Sequence, residues 1–362
     1  MRLAIVGAGV SGLSAAYALR ASKSVTQIEV FEKSRGFSGR AATRRKNGAS
    51  YDHGANYFYS EDPLIRDIIL NQLPTDGLVV ISKPVFVFGE SGEITPGDLE
   101  RDRGEKWVYQ PGISQIGKLL VAAVPAERIK VHFEKRVASL ERAERSARWT
   151  LVTTTGDRFG DFDGVLVTAP APQAAGLVCS GSVESWAEAG SIKQALGAEL
   201  ALGTYNTQIT FVLGYDKKLT SELPYYAAVN TDRKHDIAWL SVEDDKEGHV
   251  AGGNSVLIVQ MASHWSTANY EHSLEDLLPS VTNKVSVLLA GDQWKSPSWS
   301  DVQKWRFALP NSRIDTSRGI FATSAAQHGL FFTGDYTAER GRVTLAMAAG
   351  LQVASKIEEF AK

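Results

Sequence analysis

The 362-residue sequence predicts an α/β fold in which a nucleotide-binding domain carries an inserted α+β domain. Three observations predict it: a strand, glycine turn and helix at the N-terminus, a glycine–acid turn ahead of a helix near the C-terminus, and a β-rich middle. Hydrophobic residues make up 43% and charged residues 22%, an ordinary balance for a globular chain with a substantial core. The formal net charge of −2 supplies no field to attract nucleic acid or an anionic membrane. The single cysteine, Cys179, excludes an internal disulfide framework and fits a reducing compartment. No apolar run approaches the roughly 20 residues of a membrane span. The short N-terminal apolar run belongs to a strand and not to a leader, so a cytoplasmic location is expected.

Leu3–Val6 is a continuous apolar run, the pattern of a strand buried on both faces. Gly7, Gly9 and Gly12 follow with G-x-G-x-x-G spacing, and Leu13–Leu19 continues as a helix with small residues at Ala15 and Ala16. Gly7 permits the tight turn, Gly9 lets the backbone approach a pyrophosphate, and Gly12 with Ala16 lets the helix lie close on the sheet. Together with Ala8, Val10 and Ser11, they offer a diphosphate the N–H groups and positive dipole of the helix N-terminus. A second apolar strand, Ile28–Phe31, ends in Glu32, twenty residues after Gly12, where a carboxylate accepts hydrogen bonds from an adenosine ribose. The chain therefore binds an adenine dinucleotide, and this turn alone admits NAD, NADP or FAD.

Beyond Glu32, the Arg- and Gly-rich segment 33–58 lacks sustained apolar periodicity and is expected to wrap a ligand. Asp62–Gln72 reads as a helix with Pro63 in its first turn, and Leu78–Ile81 and Pro84–Phe88 as strands. Residues 104–111 read as a loop carrying Trp107 and Tyr109, and Ile113–Val124 as a helix. Strands are expected at 129–133, 136–141, 149–154 and 164–168, the last stopped by Pro170 and Pro172. Residues 173–198 look helical. The β-rich middle has strands at 207–213, 225–229, 237–242 and 256–261, a helix at 273–290, and Trp186, Trp239, Trp265 and Trp294. Residues 246–254, with three glycines, read as a hairpin loop. Strands at 305–308 and 330–333 and a helix from Val343 to about Phe360 complete the chain. Because both ends carry nucleotide-binding features, the cofactor domain is expected from 1–77, 111–175 and 305–362, and the substrate domain from 78–110 and 176–304.

Arg40 stands eight residues after Glu32 and three before Thr43, which sets a guanidinium beside the diphosphate. Here the chain resembles the large family of FAD enzymes that includes the amine oxidases, whose first turn is followed by a Glu and a G-G-R-x-x-S/T motif. Within that family, Glu32-Lys33-Ser34-Arg35-Gly36 and Asp52-His53-Gly54-Ala55-Asn56-Tyr57-Phe58 look most like the renalase branch. Ser38 replaces the first glycine of the motif, and its Cβ is strained where φ is positive, which leaves a different local backbone open. Phe331-Phe332-Thr333-Gly334-Asp335-Tyr336 and Gly341-Arg342-Val343 resemble the family's C-terminal motif. Arg136-Val137 and Val165–Pro170 resemble its middle motifs, and 304–310 a renalase-type segment, whereas 206–299 matches no motif.

The resemblance implies a glutathione-reductase-like fold of the amine-oxidase type, with FAD held non-covalently because Cys179 lies far from the C-terminal motif. The residues it implies for FAD are Gly7, Ala8, Gly9, Val10, Ser11 and Gly12, then Glu32, Lys33, Ser34, Gly39 and Arg40, and Ala55, Asn56 and Tyr57. Val137 would hold adenine and Gly334 with Asp335 the ribityl–phosphate part, while Arg342, Val343 and Ala346 would meet the flavin at the start of the last helix. The helix dipole there would stabilise negative charge on the reduced ring. The implied activity is oxidation of an isomeric dihydro-NAD(P) by hydride transfer to flavin N5, with O2 reduced to H2O2. An FAD-dependent amine oxidase and a non-catalytic FAD-binding protein are the alternatives. An amine donor would be held between rings, for which Tyr225, Tyr226, Trp239 and Trp305 are available. His53, Tyr57, Trp305 and Arg342 are the catalytic candidates. Cations at His53 and Arg342 would assist electron transfer to O2, and a structural hydrogen bond is the equal alternative for His53. Lys217, Lys218, Arg233 and Lys234 could meet an anionic nicotinamide. The seven histidines show no metal-ligand spacing, so no metal is expected. Partners are thus a small reduced nicotinamide or amine and O2, with neither nucleic acid nor membrane; the oligomeric state is not legible.

Overall fold

The computed structural model describes residues 1–98, 104–142, 148–180, 189–338 and 340–362. Five parallel strands form one sheet in the order Leu330–Phe332, Gly164–Val167, Arg2–Val6, Gln27–Phe31 and Ile129–His132. Helices cover such a sheet on both faces, which is why Leu3–Val6 and Gly164–Val167 are wholly buried and read as continuous apolar runs. Helix Val10–Ala18 leaves the central strand and packs against helices Gln115–Ala122 and Val343–Phe360. Gly350 permits the second contact, because a Cβ there would strike the Ser11 carbonyl oxygen.

A second sheet has seven strands, in the order Trp299–Pro310, Tyr205–Tyr215, Ser255–Met261, Ile237–Val242, Ala227–Asn230, Val85–Phe88 and Thr95–Pro96. Its pairs are antiparallel except Ala227–Asn230 with Val85–Phe88, which run parallel. Alternation sorts the side chains between two faces. Ile209, Phe211, Leu213, Leu240, Leu257 and Val259 form one core with Val281 and Val285 of helix Leu274–Leu288. That helix begins with a capping box between Ser273 and Asp276. Gln208, Thr210, Trp239, Gln260 and Trp305 belong to the opposite face by register. Hydrogen bonds from Gln260 and Trp305 join this face to residues 53–54. No helix among the described residues is long and apolar enough to cross a membrane.

Three expectations are corrected. Residues 104–111 are not simply a loop: they contain the strand Lys106–Tyr109, paired antiparallel with Leu78–Ile81, and its four side chains are buried. The last strand of the second sheet is twelve residues long and runs through position 305, where the sequence divides the domains, since it pairs with Tyr205–Tyr215 along its length. The 173–198 reading resolves into helices Ala171–Cys179 and Ala189–Ala201; Trp186 and the intervening 181–188 lie outside the described residues. Loop 246–254 connects two antiparallel neighbours, as expected of a hairpin loop, and it also turns inward and buries Lys246 and His249. The hairpin Thr43–Lys46 with Ala49–Asp52, strand Arg158–Phe162 and helix Ser263–Ala268 carry no clear periodicity and were not legible.

Candidate active site

The first turn is shaped by three glycines in three ways. Gly7 has φ +112°, and a Cβ there would lie 2.5 Å from Thr168 Oγ1. At Gly12 a Cβ would lie 2.7 Å from the Gly7 carbonyl oxygen. At Gly9 a Cβ would meet nothing within 4 Å, so the fold leaves this position bare and the space above it open. That space is the cradle a pyrophosphate requires, and a side chain would fill it. Ala8, Val10 and Ser11 are buried around it. Glu32 is buried as well, with Oε2 accepting from Ala8 N–H at 2.8 Å and Oε1 from Ser34 N–H and Oγ at 2.8 Å. The carboxylate thus braces the glycine turn; Lys33 and Ser34 are exposed next to it.

Ser38 keeps the backbone of the glycine it replaces, at φ +77°. A non-glycine residue there costs about 1–2 kcal/mol. Its Oγ offsets this by donating to the Ser114 carbonyl at 2.8 Å and accepting from Gly117 N–H at 3.1 Å. Gly117 makes room, since its own Cβ would strike that Oγ. The neighbouring Gly39 has φ +59° and lies so close to the cradle that a Cβ would be 3.2 Å from Gly9 Cα.

Arg40 and Asp335, far apart in sequence, form an ion pair of 2.7 Å. The same Arg40 nitrogen donates to the Phe307 and Ala308 carbonyls at 3.0 and 3.2 Å, while Tyr205 donates its hydroxyl to Asp335 at 2.8 Å. The Arg40 side chain as a whole remains 30% exposed. Gly334 sits directly before this pair, and Val137 opens its strand beside the core that holds Phe31. Arg342 is the N-cap residue of helix Val343–Phe360 and makes no side-chain cap, which leaves the first helical N–H groups available; Val343 and Ala346 are half-buried there. Arg342 itself is exposed.

Residues 53–57 are pinned from the second sheet. Trp305 Nε1 donates to the His53 carbonyl at 3.1 Å and Gln260 Nε2 to the Gly54 carbonyl at 2.7 Å. Ser241 and Trp239 donate to Asn56 Oδ1 at 2.7 and 3.3 Å, and Tyr226 to the Asn56 carbonyl at 3.3 Å. Asn56 therefore acts as a strut between the two parts, its side chain engaged within the protein. Ala55 is fixed through its N–H to the Arg40 carbonyl at 3.0 Å. Tyr57 is half-buried, with its ring 6.1 Å from Trp239 and 6.2 Å from Tyr226.

His53 is buried and stacks on Trp305 with ring centroids 5.5 Å apart. Burial, reinforced by the nearby Arg44 charge, pushes its pKa down to about 4. The imidazole is neutral at neutral pH, so the cation expected at His53 is not supplied by it. Tyr225 is also displaced from its expected place: it packs on Phe86 at 5.0 Å in the core behind the sheet. Lys217, Lys218, Arg233 and Lys234 are exposed, with Lys218 paired to Asp244 and Lys234 to Glu90.

The model of the flavin-containing amine oxidoreductases matches residues 93–357, and that of an NAD(P)-binding Rossmann-like domain matches residues 5–73. The chain belongs to the flavin-containing amine oxidoreductase family. It is an FAD-dependent oxidoreductase. The amine oxidoreductase aligns with the corticosteroid-binding protein of Candida albicans at 31% identity over 115 residues, covering 28% of this chain and only 23% of that relative. Solved structures match almost end to end. A candidate protoporphyrinogen oxidase from Exiguobacterium sp. 255-15 has TM-score 0.77 at 16% identity, covering 99% of this chain and 98% of that one. Cyclohexylamine oxidase from Brevibacterium oxydans has TM-score 0.69 at 14% identity, with coverage of 99% and 98%. UDP-galactopyranose mutase has TM-score 0.72 at 12% identity, with coverage of 98% and 93%. At these identities the likeness is one of fold.

This amine oxidoreductase fits FAD at both ends of the site, through the bare Gly9 cradle and the uncapped last helix. It also contains a group of residues that sequence reasoning missed. Asp52, Glu243 and Lys246 have side chains with 0% exposure, and Lys246 Nζ donates to Asp52 Oδ2 at 2.9 Å and to Glu243 Oε1 at 2.8 Å. Burial works against the ammonium, but the two carboxylates more than offset it and hold the lysine well above its ordinary pKa. Ligand atoms of Asp52, Glu243 and His249 lie within 4.8 Å of one another, a spacing that suits a metal ion, yet the lysine already occupies the place of the cation. Asp52 next to His53 is the one sequence signal that could have pointed here.

Proposed function

We propose that this oxidoreductase is an FAD-dependent oxidase of renalase type, taking hydride from an isomeric dihydro-NAD(P) and passing the electrons to O2 to give H2O2. The supporting observation is the character of the sheet face opposite residues 53–57. Gln208, Gln260, Trp239 and Trp305 share that face by register. The carboxylates beside it are committed, Asp301 to Arg44 and Tyr51, and Asp52 and Glu243 to Lys246. Amides and aromatic rings suit a neutral dihydropyridine carboxamide better than an ammonium ion, which gains most from an uncommitted carboxylate. A dihydropyridine also needs no general base, since loss of hydride leaves an aromatic cation. The neutral His53 fits that chemistry.

In this reading Gly7 to Gly12, Glu32, Lys33, Ser34 and Val137 hold the adenosine diphosphate end of FAD. Gly39, Arg40, Gly334 and Asp335 hold the middle, and Ala55, Tyr57, Arg342, Val343 and Ala346 surround the flavin. Bound FAD supplies the redox chemistry, and the protein orients the donor and excludes competing reactions. Tyr57 and Trp305 flank the donor, and Arg342 is the cation of the catalytic group. The cofactor domain takes 1–77, 111–175 and the chain after Pro310; the substrate domain takes the remainder, including all of Trp299–Pro310.

Anaerobic titration of the holoenzyme tests the proposal. The 2- and 6-dihydro isomers of NAD should bleach the flavin at micromolar concentration, while an amine panel should not. Bleaching by amines alone would move the assignment to an FAD-dependent amine oxidase, the reading favoured by family membership, with Tyr57 and Trp239 as the ring pair. A flavin that no donor reduces would leave a binding protein.

A further inference from the structure

The buried group behind residues 53–57 carries an inference that does not depend on which donor is oxidised. Asp52 is held by four hydrogen bonds to four residues. Its Oδ1 accepts from Thr43 Oγ1 at 2.6 Å and from Ile113 N–H at 2.9 Å, and its Oδ2 accepts from Lys246 at 2.9 Å. Its own N–H donates to Glu243 Oε1 at 2.7 Å. These bonds fasten the residue from which the segment 53–57 departs. Lys246 reaches the other end of that segment too, with Nζ 5.9 Å from the ring centroid of Tyr226, the residue that donates to the Asn56 carbonyl.

The charges do not balance as drawn. With both carboxylates ionised, they and one ammonium sum to −1 at side chains with 0% exposure, and an unbalanced buried charge is costly; burial accordingly raises the Asp52 pKa despite the neighbouring Lys246. Tyr226 also faces Lys246 but burial keeps its hydroxyl neutral, so His249 is the remaining group in contact that can supply a positive charge. Its Nε2 lies 3.0 Å from the Tyr109 carbonyl, an acceptor, so Nε2 carries a hydrogen. Its Nδ1 lies 3.6 Å from Glu243 Oε1. In the neutral ring that nitrogen would point a lone pair at a carboxylate. A second proton, on Nδ1, turns this repulsion into attraction and brings the group to neutrality.

We propose that Asp52, Glu243, Lys246 and His249 are a positioning unit for the flavin-facing segment 53–57, held neutral by an imidazolium at His249. The groups facing His249 are Glu243 and Lys246 from its own loop, Asp52 from the hairpin, and Tyr109 from strand Lys106–Tyr109. Burial and the Lys246 charge work to lower its pKa, but Glu243 together with Asp52 outweighs them and leaves it raised. Loss of this proton at high pH leaves a negative charge beneath Tyr226 and Asn56, and the segment shifts against the flavin.

Imidazole 15N NMR of the FAD-loaded protein reads the proton directly, with the His249 signals assigned by their loss in His249→Gln. The expected result is a ring doubly protonated at a pH where a free imidazole has lost its proton. In Glu243→Gln the remaining Asp52 and Lys246 charges cancel, so His249 should be neutral at that same pH. A neutral His249 in the wild-type protein overturns the proposal, and so does an imidazolium that survives Glu243→Gln. If that variant does not fold, the wild-type spectrum alone decides. The flavin absorption band, followed in the wild-type holoenzyme, should shift with the His249 titration; a band indifferent to it refutes the positioning role and leaves the assignment of the donor untouched.

Discussion

The turn at Gly7–Gly12 and the segment Asp52–Tyr57 border the same candidate cofactor site, and they are built on opposite principles. The turn works by leaving side chains out. Its central glycine has nothing within 4 Å of where a Cβ would be, so its bareness serves a ligand, whereas Gly7 and Gly12 are bare because the protein itself fills the space. The segment works by burying charge, with Lys246, Asp52 and Glu243 all at 0% side-chain exposure behind it. A site built from omission depends on neighbours in sequence and tolerates little variation in shape. A site built from buried charge depends on partners nearly two hundred residues away and tolerates little variation in protonation.

The contrast can be broken experimentally, beginning with the largest effect. Lys246→Met should leave the buried Asp52 and Glu243 carboxylates without their ammonium partner and cost about 3–5 kcal/mol, seen as a large fall in the urea midpoint of unfolding. A change below roughly 1 kcal/mol, the range of an exposed ion pair, would show that the cluster is not buried in solution.

Acid should act through His53. The ring is neutral in the fold with pKa about 4 and ordinary when unfolded, near 6.5, so the unfolded chain binds more protons between these values. The stability from this site is fully present above pH 6.5 and is lost as pH falls towards 4, a total of about 3 kcal/mol. Unfolding of His53→Gln across that window should lack this part of the pH dependence.

Gly9→Val should weaken FAD binding by at least about 100-fold, or roughly 2.7 kcal/mol, with a far-ultraviolet dichroism spectrum like the wild type. Gly12→Val should instead lose the fold, because its Cβ meets the Gly7 carbonyl oxygen at 2.7 Å. A purified Gly9→Val that stays yellow with full FAD content would remove the assigned role of the cradle.

The smallest effect is expected at Ser38→Gly. Relief of about 1–2 kcal/mol of backbone strain is set against two hydrogen bonds worth about 0.5–1.5 kcal/mol each, for a net change between about 1 kcal/mol of gain and about 2 kcal/mol of loss. A larger loss would mean that the hydroxyl, and not the turn, organises this part of the cradle.

Sequence alone determined the α/β fold, the glycine turn and the last helix, because each rests on short-range rules. An apolar run fully buried in a parallel sheet, a glycine at fixed spacing and a helix start are all local patterns. The strand Lys106–Tyr109 escaped because four residues between Gly104 and Pro111 carry too little periodicity to outweigh their flanks. Only the tertiary structure decided that Arg40 meets Asp335, that His53 is neutral, and that loop 246–254 delivers a lysine to Asp52. Those outcomes depend on long-range contacts and on exclusion of water, which shift charge and protonation by amounts that no spacing of residues records.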